Sequence, residues 1–90
     1  MLPINNIVGS VSYFAGDYDI SNYFPCDGRL LNVQEYSDLF YVIGNRYGGD
    51  GITSFALPDL RPIVSGSRVN WADSVEPSRL ICYSGIVFNY

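Results

Sequence analysis

The sequence contains no histidine and no lysine, and its five basic residues are all arginine. Without those two side chains the chain cannot build His-based acid–base catalysis, Ser-His-Asp or Cys-His nucleophiles, or a His-containing zinc site. It also cannot supply a Schiff-base lysine or a phosphate-loop lysine. We therefore predict that the protein is not an enzyme and has no catalytic residue, no metal site and no cofactor.

Positive charge is scarce as well. Nine acidic residues stand against five arginines, which gives a net charge of −4 and an isoelectric point of about 4.3. Nucleic-acid binding needs a basic surface that releases counterions, so we predict no nucleic-acid partner. No uninterrupted apolar run approaches the length of a signal-peptide core or a membrane helix, so we predict no membrane insertion and synthesis in a cytosol.

Cysteine is the third scarce residue. Cys26 and Cys82 are too few for a disulfide framework, and they lack metal-ligand spacing. The simplest interpretation is two buried thiols, and a single bridge between them is the alternative.

The length of 90 residues predicts one domain spanning residues 1–90. A chain this short buries only about 60–65% of the surface that its unfolded form exposes, which favours a homo-oligomer. Hydrophobic residues make up 48% of the chain, with eight tyrosines, five phenylalanines and one tryptophan. This composition indicates a folded domain in which aromatic rings form much of the core or of an interface.

The pattern along the chain predicts an α+β fold of several short strands and one helix. Alternating residues predict a strand over 7–15, and an apolar run predicts a closing strand over 80–88. Between them, apolar residues at helical spacing predict an amphipathic helix over about 33–43. Asn32 is placed to cap its start and Gly44 its end.

The glycine-rich loop 48–51 resembles an anion cradle, in which consecutive backbone N–H groups face a phosphate. A phosphate loop would continue with Lys and Ser or Thr, but Ile52 and Thr53 follow here. We therefore interpret the loop as a tight turn. We interpret Asp27, Asp50 and Asp59 in the same way, because Asp in such contexts bonds nearby backbone.

The candidate binding residues on composition are Arg68, Asn70, Trp71 and Asp73. A guanidinium, an amide, an indole ring and a carboxylate could together hold a sugar or a protein surface. The alternative is that Trp71 packs in its own core or against a neighbouring subunit.

Three blocks of the sequence carry a resemblance to a known family. They are Cys26-Asp27-Gly28, Tyr47-Gly48-Gly49-Asp50-Gly51 and Leu57-Pro58-Asp59-Leu60-Arg61. In this order they resemble the phage tail collar domain, which also defines the bacterial microcystin-dependent proteins. Relatives usually carry a tryptophan shortly before the cysteine, and we expect Tyr23 to take the place of that ring. The region from Pro62 to Pro77 is shorter than in many relatives.

The resemblance implies a structural or adhesive component of a phage tail, tail fibre or baseplate that contributes to host attachment. Its expected partners are other virion tail and fibre proteins and further copies of itself, with a trimer favoured. Its expected location is the virion, after synthesis in the host cytoplasm. The alternative is a lectin-like protein of microcystin-dependent type, whose loop 68–73 contacts a host cell-surface glycan.

Overall fold

The computed structural model describes residues 7–16 and 19–87, and among them it shows seven short strands, one α-helix and one 3-10 helix. In chain order these are β1 (Val11–Phe14), β2 (Tyr23–Pro25), β3 (Leu30–Asn32), α1 (Ser37–Ile43), β4 (Ser54–Ala56), β5 (Ile63–Val64), β6 (Ser67–Arg68), the 3-10 helix (Trp71–Asp73) and β7 (Ser78–Cys82). The strands pair antiparallel. The predicted α+β class is confirmed.

The largest sheet has the order β1-β7-β2, so the last strand lies between the first two. Ile81 of β7 lies opposite Val11 on one side and Phe24 on the other. The first strand is shorter than the predicted 7–15 because residues 8 and 9 form a turn. The last strand ends at Cys82 instead of continuing over 80–88, and Phe88 lies outside the described residues.

A second ribbon joins β3 to β4, with Leu30 opposite Ala56 and Leu31 opposite Phe55. The same register continues to an isolated bridge between Asp27 and Asp59. Between these points the Leu57 N–H donates to the Arg29 carbonyl at 2.9 Å. Two of the three sequence blocks singled out above are therefore partners in one antiparallel ladder.

Helix α1 begins at Ser37, about one turn later than the predicted start at residue 33. The backbone of Tyr36 is not helical, with φ −122° and ψ 45°. Asn32 still caps the preceding turn, because its side-chain oxygen accepts the N–H groups of Gln34 at 2.8 Å and Glu35 at 3.0 Å. Within the described part of the chain, no helix has the length and apolar character needed to cross a membrane.

One hydrophobic cluster joins the elements. Leu39 of α1, Phe55 of β4 and Ile81 of β7 are almost completely buried within it. Aromatic rings pack around this centre, with Phe24 stacked on Tyr83 at a centroid distance of 4.3 Å. The single apolar face of α1 and the inner faces of both sheets therefore share one core.

Both cysteines are free and buried. The Cys26 N–H donates to the carbonyl of Arg79, whereas Cys82 lies opposite Tyr23. Because these positions lie three residues apart along β7, about 10 Å of strand separates them, which exceeds the span of a disulfide. Burial raises the pKa of the Cys26 thiol to about 12, so at neutral pH this side chain packs as an apolar group.

The glycine loop covers the edge of β4 that faces away from β3. The Gly48 carbonyl accepts the Ala56 N–H at 3.0 Å, and the Gly51 N–H donates to the Ser54 carbonyl at 2.9 Å. Between them Gly49 has a φ of +88°, and a Cβ there would lie 2.5 Å from the Cα of Phe55. The loop therefore lies against β4 backbone to backbone, which only glycine permits.

We predict that Gly49→Ala lowers the free energy of unfolding by about 3 kcal/mol, because it adds steric overlap to an unfavourable φ. Gly66→Ala is the matched control, since Gly66 has a φ of +84° but no atom within 4 Å of an added Cβ. The control should cost only about 1 kcal/mol. Urea unfolding of the two variants measures the difference, and equal losses would contradict the close packing of the loop.

Candidate functional site

The aspartates of two sequence blocks each bind the arginine two residues later. Asp27 accepts hydrogen bonds from Arg29, with Nε at 3.0 Å, Nη2 at 3.0 Å and the backbone N–H at 3.2 Å. Asp59 accepts the same three from Arg61, at 2.9, 2.9 and 3.3 Å. We call these the two Asp-Xaa-Arg clasps. Each holds its guanidinium in a bidentate fork, the geometry that makes arginine pairs specific.

The two clasps lie against each other because Asp27 and Asp59 form the bridge at the end of the β3–β4 ladder. The Leu60 N–H donates to the Cys26 carbonyl at 2.9 Å. The charge of Asp27 in turn raises the pKa of Arg61, although Asp59 has the larger effect. Backbone pairing thus holds the segment 57–61 against the segment between β2 and β3, and the two clasps lie at this contact.

Both clasp carboxylates are held in the ionised form. The hydrogen bonds from Arg61 lower the pKa of Asp59 to about 2 against a smaller opposing effect of burial. Burial raises the pKa of Asp27, but the hydrogen bonds and charge of Arg29 together outweigh it, and the pKa of Asp27 lies below its usual range. These carboxylates act as anchors of turns, the role that the sequence predicts for them.

Asp50 binds the backbone N–H groups that directly follow the glycine loop. Its Oδ1 accepts the backbone N–H groups of Ile52, Thr53 and Ser54 at 2.8, 2.8 and 2.9 Å, and its Oδ2 accepts the Thr53 hydroxyl at 2.8 Å. These bonds hold the pKa of Asp50 well below its usual range. The carboxylate therefore anchors the turn that follows the glycine loop.

The described residues contain no cluster of metal-ligating side chains. Across residues 7–16 and 19–87, no group of three or more His, Cys, Asp or Glu side chains is arranged to hold an ion.

A groove of about 540 Å³ lies between the β1-β7-β2 sheet and the segment 71–78. This volume falls within the usual range for ligand pockets, about 300–1,000 Å³. Its lining residues are Phe14, Ala15, Gly16, Asp19, Ile20, Tyr23, Pro25, Trp71, Ala72, Ser74, Val75, Glu76, Pro77, Ser78 and Leu80. The lining is mainly apolar. Apart from Tyr23, its ionisable side chains are the carboxylates of Asp19 and Glu76.

Two aromatic residues fix part of the groove wall. Trp71 packs against the hydrophobic core, and its Nε1–H is buried with no hydrogen-bond partner. Tyr23 is half-buried and lies opposite Cys82. Burial, and then Cys82, raise the pKa of the Tyr23 hydroxyl. Neither ring is free to swing away from the wall.

One of the four candidate binding residues lies in the groove wall. Trp71 lines the groove, but Arg68, Asn70 and Asp73 are not among its lining residues. Arg68 donates from Nη1 to the Arg61 carbonyl, and the Asn70 carbonyl accepts the Asp73 N–H at 2.9 Å. No local sequence pattern links Trp71 to the β1 and β2 residues of the groove, because these positions lie about fifty residues apart in the chain.

Many large hydrophobic side chains stay on the surface. Eleven within the described residues are at least 40% exposed. They are Val11, Tyr13, Leu30, Tyr41, Val42, Tyr47, Ile52, Ile63, Val64, Val75 and Ile86. Single exposed apolar residues are ordinary, but covering this number in an assembly would remove considerable apolar area from water.

Residues 9–64 match the family model of the phage tail collar domain. The match covers more than half of the chain and includes both clasps and the glycine loop. This chain belongs to the phage tail collar domain family. No curated protein and no solved structure matches it significantly. Membership indicates a structural protein of phage tail-fibre type, located in the virion tail and associated with other tail proteins.

The clasps and the glycine loop are thus the collar blocks of this chain, and their function in the fold is to hold its chain segments together. The collar match ends at β5, so the 3-10 helix and the rest of the 71–78 groove wall lie beyond it. One wall of the groove is therefore collar framework, and the other comes from the segment that follows.

The low pKa of Asp59 predicts a loss of stability in acid. Its clasp contributes fully above the unfolded pKa of about 4, and the contribution disappears as the pH falls towards the folded value of about 2. We expect the urea midpoint of the wild type to fall as the pH is lowered from about 4 to about 2. In Asp59→Asn the midpoint should depend less steeply on pH over the same range. Asp73→Asn, at an exposed carboxylate, should keep the wild-type profile. Parallel wild-type and Asp59→Asn profiles would contradict the clasp.

Proposed function

We propose that this collar-domain protein is a structural subunit of a phage tail fibre, tail or baseplate, assembles as a homotrimer with neighbouring virion proteins, and contributes to host attachment. The observation that carries the proposal is the exposed apolar surface of a domain that belongs to a phage tail family. Monomeric proteins rarely leave large contiguous apolar patches in water.

The exposed side chains have the composition of interfaces. Tyr13, Tyr41 and Tyr47 are between 47% and 67% exposed, and tyrosine is enriched where proteins meet. The Arg79 guanidinium lies over the Tyr13 ring at 5.1 Å, which pairs an aromatic face with a cation at the sheet edge. Covering such rings in an assembly removes apolar area that the small core leaves in water.

A closed ring of identical subunits suits this domain. Most soluble homo-oligomers have closed symmetry, and a chain of 90 residues gains proportionally more buried surface from association than a larger one. A trimer also matches the three-fold symmetry expected of a fibre-like particle part, as the family resemblance implies.

Mass spectrometry of purified particles tests this function. We expect the protein at a fixed ratio to the known tail proteins of the same particle, and in a multiple of three copies. Free protein added to the lysate in isotope-labelled form controls for adsorption, because it should be absent from the purified particles. Particles that infect normally but lack this chain would contradict the proposal.

The groove favours a lectin-like protein as the second candidate function. Trp71 and Tyr23 present fixed rings beside polar groups such as Ser74 and Ser78, an arrangement that can hold a host glycan. On this candidate, the binding element is the groove and not the loop 68–73 alone.

A saccharide column separates the two candidates. If the protein is a lectin, host-surface polysaccharide should retain the wild type, and Trp71→Ala should reduce retention at least tenfold. Tyr47→Ala removes an exposed ring outside the groove and should bind like the wild type. Retention that is unchanged in a folded Trp71→Ala variant would rule out this groove as the glycan site.

A further inference from the structure

The hairpin of β5 and β6 is an exposed arm. Ser65 and Gly66 form its two-residue turn, with φ values of +53° and +84° as in a type I′ hairpin. Ile63 lies opposite Arg68, so these two side chains share one face. Ile63 is 61% exposed and Arg68 is also exposed. One face of the arm thus presents an aliphatic group beside a cation.

Arg68 has no carboxylate ion pair among the described residues, whereas Arg29, Arg61 and Arg79 each have one. Its Nη1 donates to the Arg61 carbonyl, which places the guanidinium near the base of the arm. The remaining guanidinium donors have no acceptor in this part of the structure. The arm therefore carries positive charge on a chain whose net charge is −4.

The groove is complementary to the arm. Phe14, Val75 and Leu80 supply apolar lining, and Asp19 and Glu76 supply negative charge. Within the described residues the lining contains no arginine, and Asp19 forms no ion pair. Glu76 lies 3.6 Å from Arg79 and remains 48% exposed, so its pair is loose. The groove would thus favour an apolar side chain accompanied by a cation.

We propose that the β5–β6 arm of one subunit lies in the groove of the next, with Ile63 against the apolar lining and Arg68 facing Asp19. This inference rests on the homo-oligomer in the proposed function and names the surfaces that build it. The arm residues are not part of their own chain's groove lining, so both surfaces remain available to neighbours. Because the two differ, the contact is head-to-tail, and head-to-tail contacts that close make rings.

Native mass spectrometry at 10 µM tests the apolar half of the contact. We expect the wild type to be a trimer, and Ile63→Glu to raise the concentration needed for assembly at least tenfold. Ile52→Glu is the matched control, because Ile52 is 79% exposed and lies in neither surface. Circular dichroism checks that each variant is folded. A trimer that persists in Ile63→Glu, or a wild type that is monomeric at 100 µM, would overturn the inference.

Charge reversal tests the polar half. Arg68→Glu and Asp19→Arg should each weaken assembly about tenfold, and the double variant should recover to within about threefold of the wild type. Recovery requires direct contact, since two unrelated defects would add. A double variant that assembles more weakly than either single variant would overturn the pairing. So would a monomeric wild type that a neutral saccharide column retains through Trp71. If arm variants stay trimeric and enter particles, this inference fails while the proposed function stands.

Discussion

The antiparallel register that places Asp27 opposite Asp59 is the constraint on which the rest of this fold depends. It joins segments about thirty residues apart, and closing such a loop has an entropic cost that local structure does not recover. Each Asp-Xaa-Arg clasp fixes the local conformation of its own block at the end of the ladder, because its carboxylate binds the side chain and the backbone of the arginine two residues later. Once this ladder is set, Cys26 can bond to β7 and the glycine loop can cover β4.

The chemically suggestive side chains of this protein are therefore satisfied from within. Asp50 anchors the turn that follows the glycine loop, and the clasps bind both carboxylates that could otherwise suggest a catalytic pair. Low pKa values here reflect structural hydrogen bonds, since perturbed acids occur in ion-pair networks as well as in active sites. A family that works by assembly has this need for rigid turns, and the collar blocks provide them.

Local rules predicted the local features. Asn32 caps a turn because its side chain reaches the N–H groups two and three residues later, and the acids of the turns bond nearby backbone. The helix start was wrong by about one turn because the backbone of Tyr36 leaves the helical region, and helical spacing alone does not reveal that departure. The clasp-to-clasp pairing and the groove could not be predicted, since both depend on contacts between distant segments.

The contrast between the interior and the surface explains why this domain should not act alone. Inside, the buried side chains of the described residues are hydrophobic, and the clasp carboxylates have partners. Outside, neither Arg68 nor Asp19 forms a close ion pair within residues 7–16 and 19–87, and aliphatic groups such as Ile63 and Val75 face water. An isolated pair of surface charges gains little in water, but the same pair beside buried aliphatic groups is partly desolvated and discriminates between partners. In the assembly that we propose, apolar burial would supply the free energy and charge would set the register.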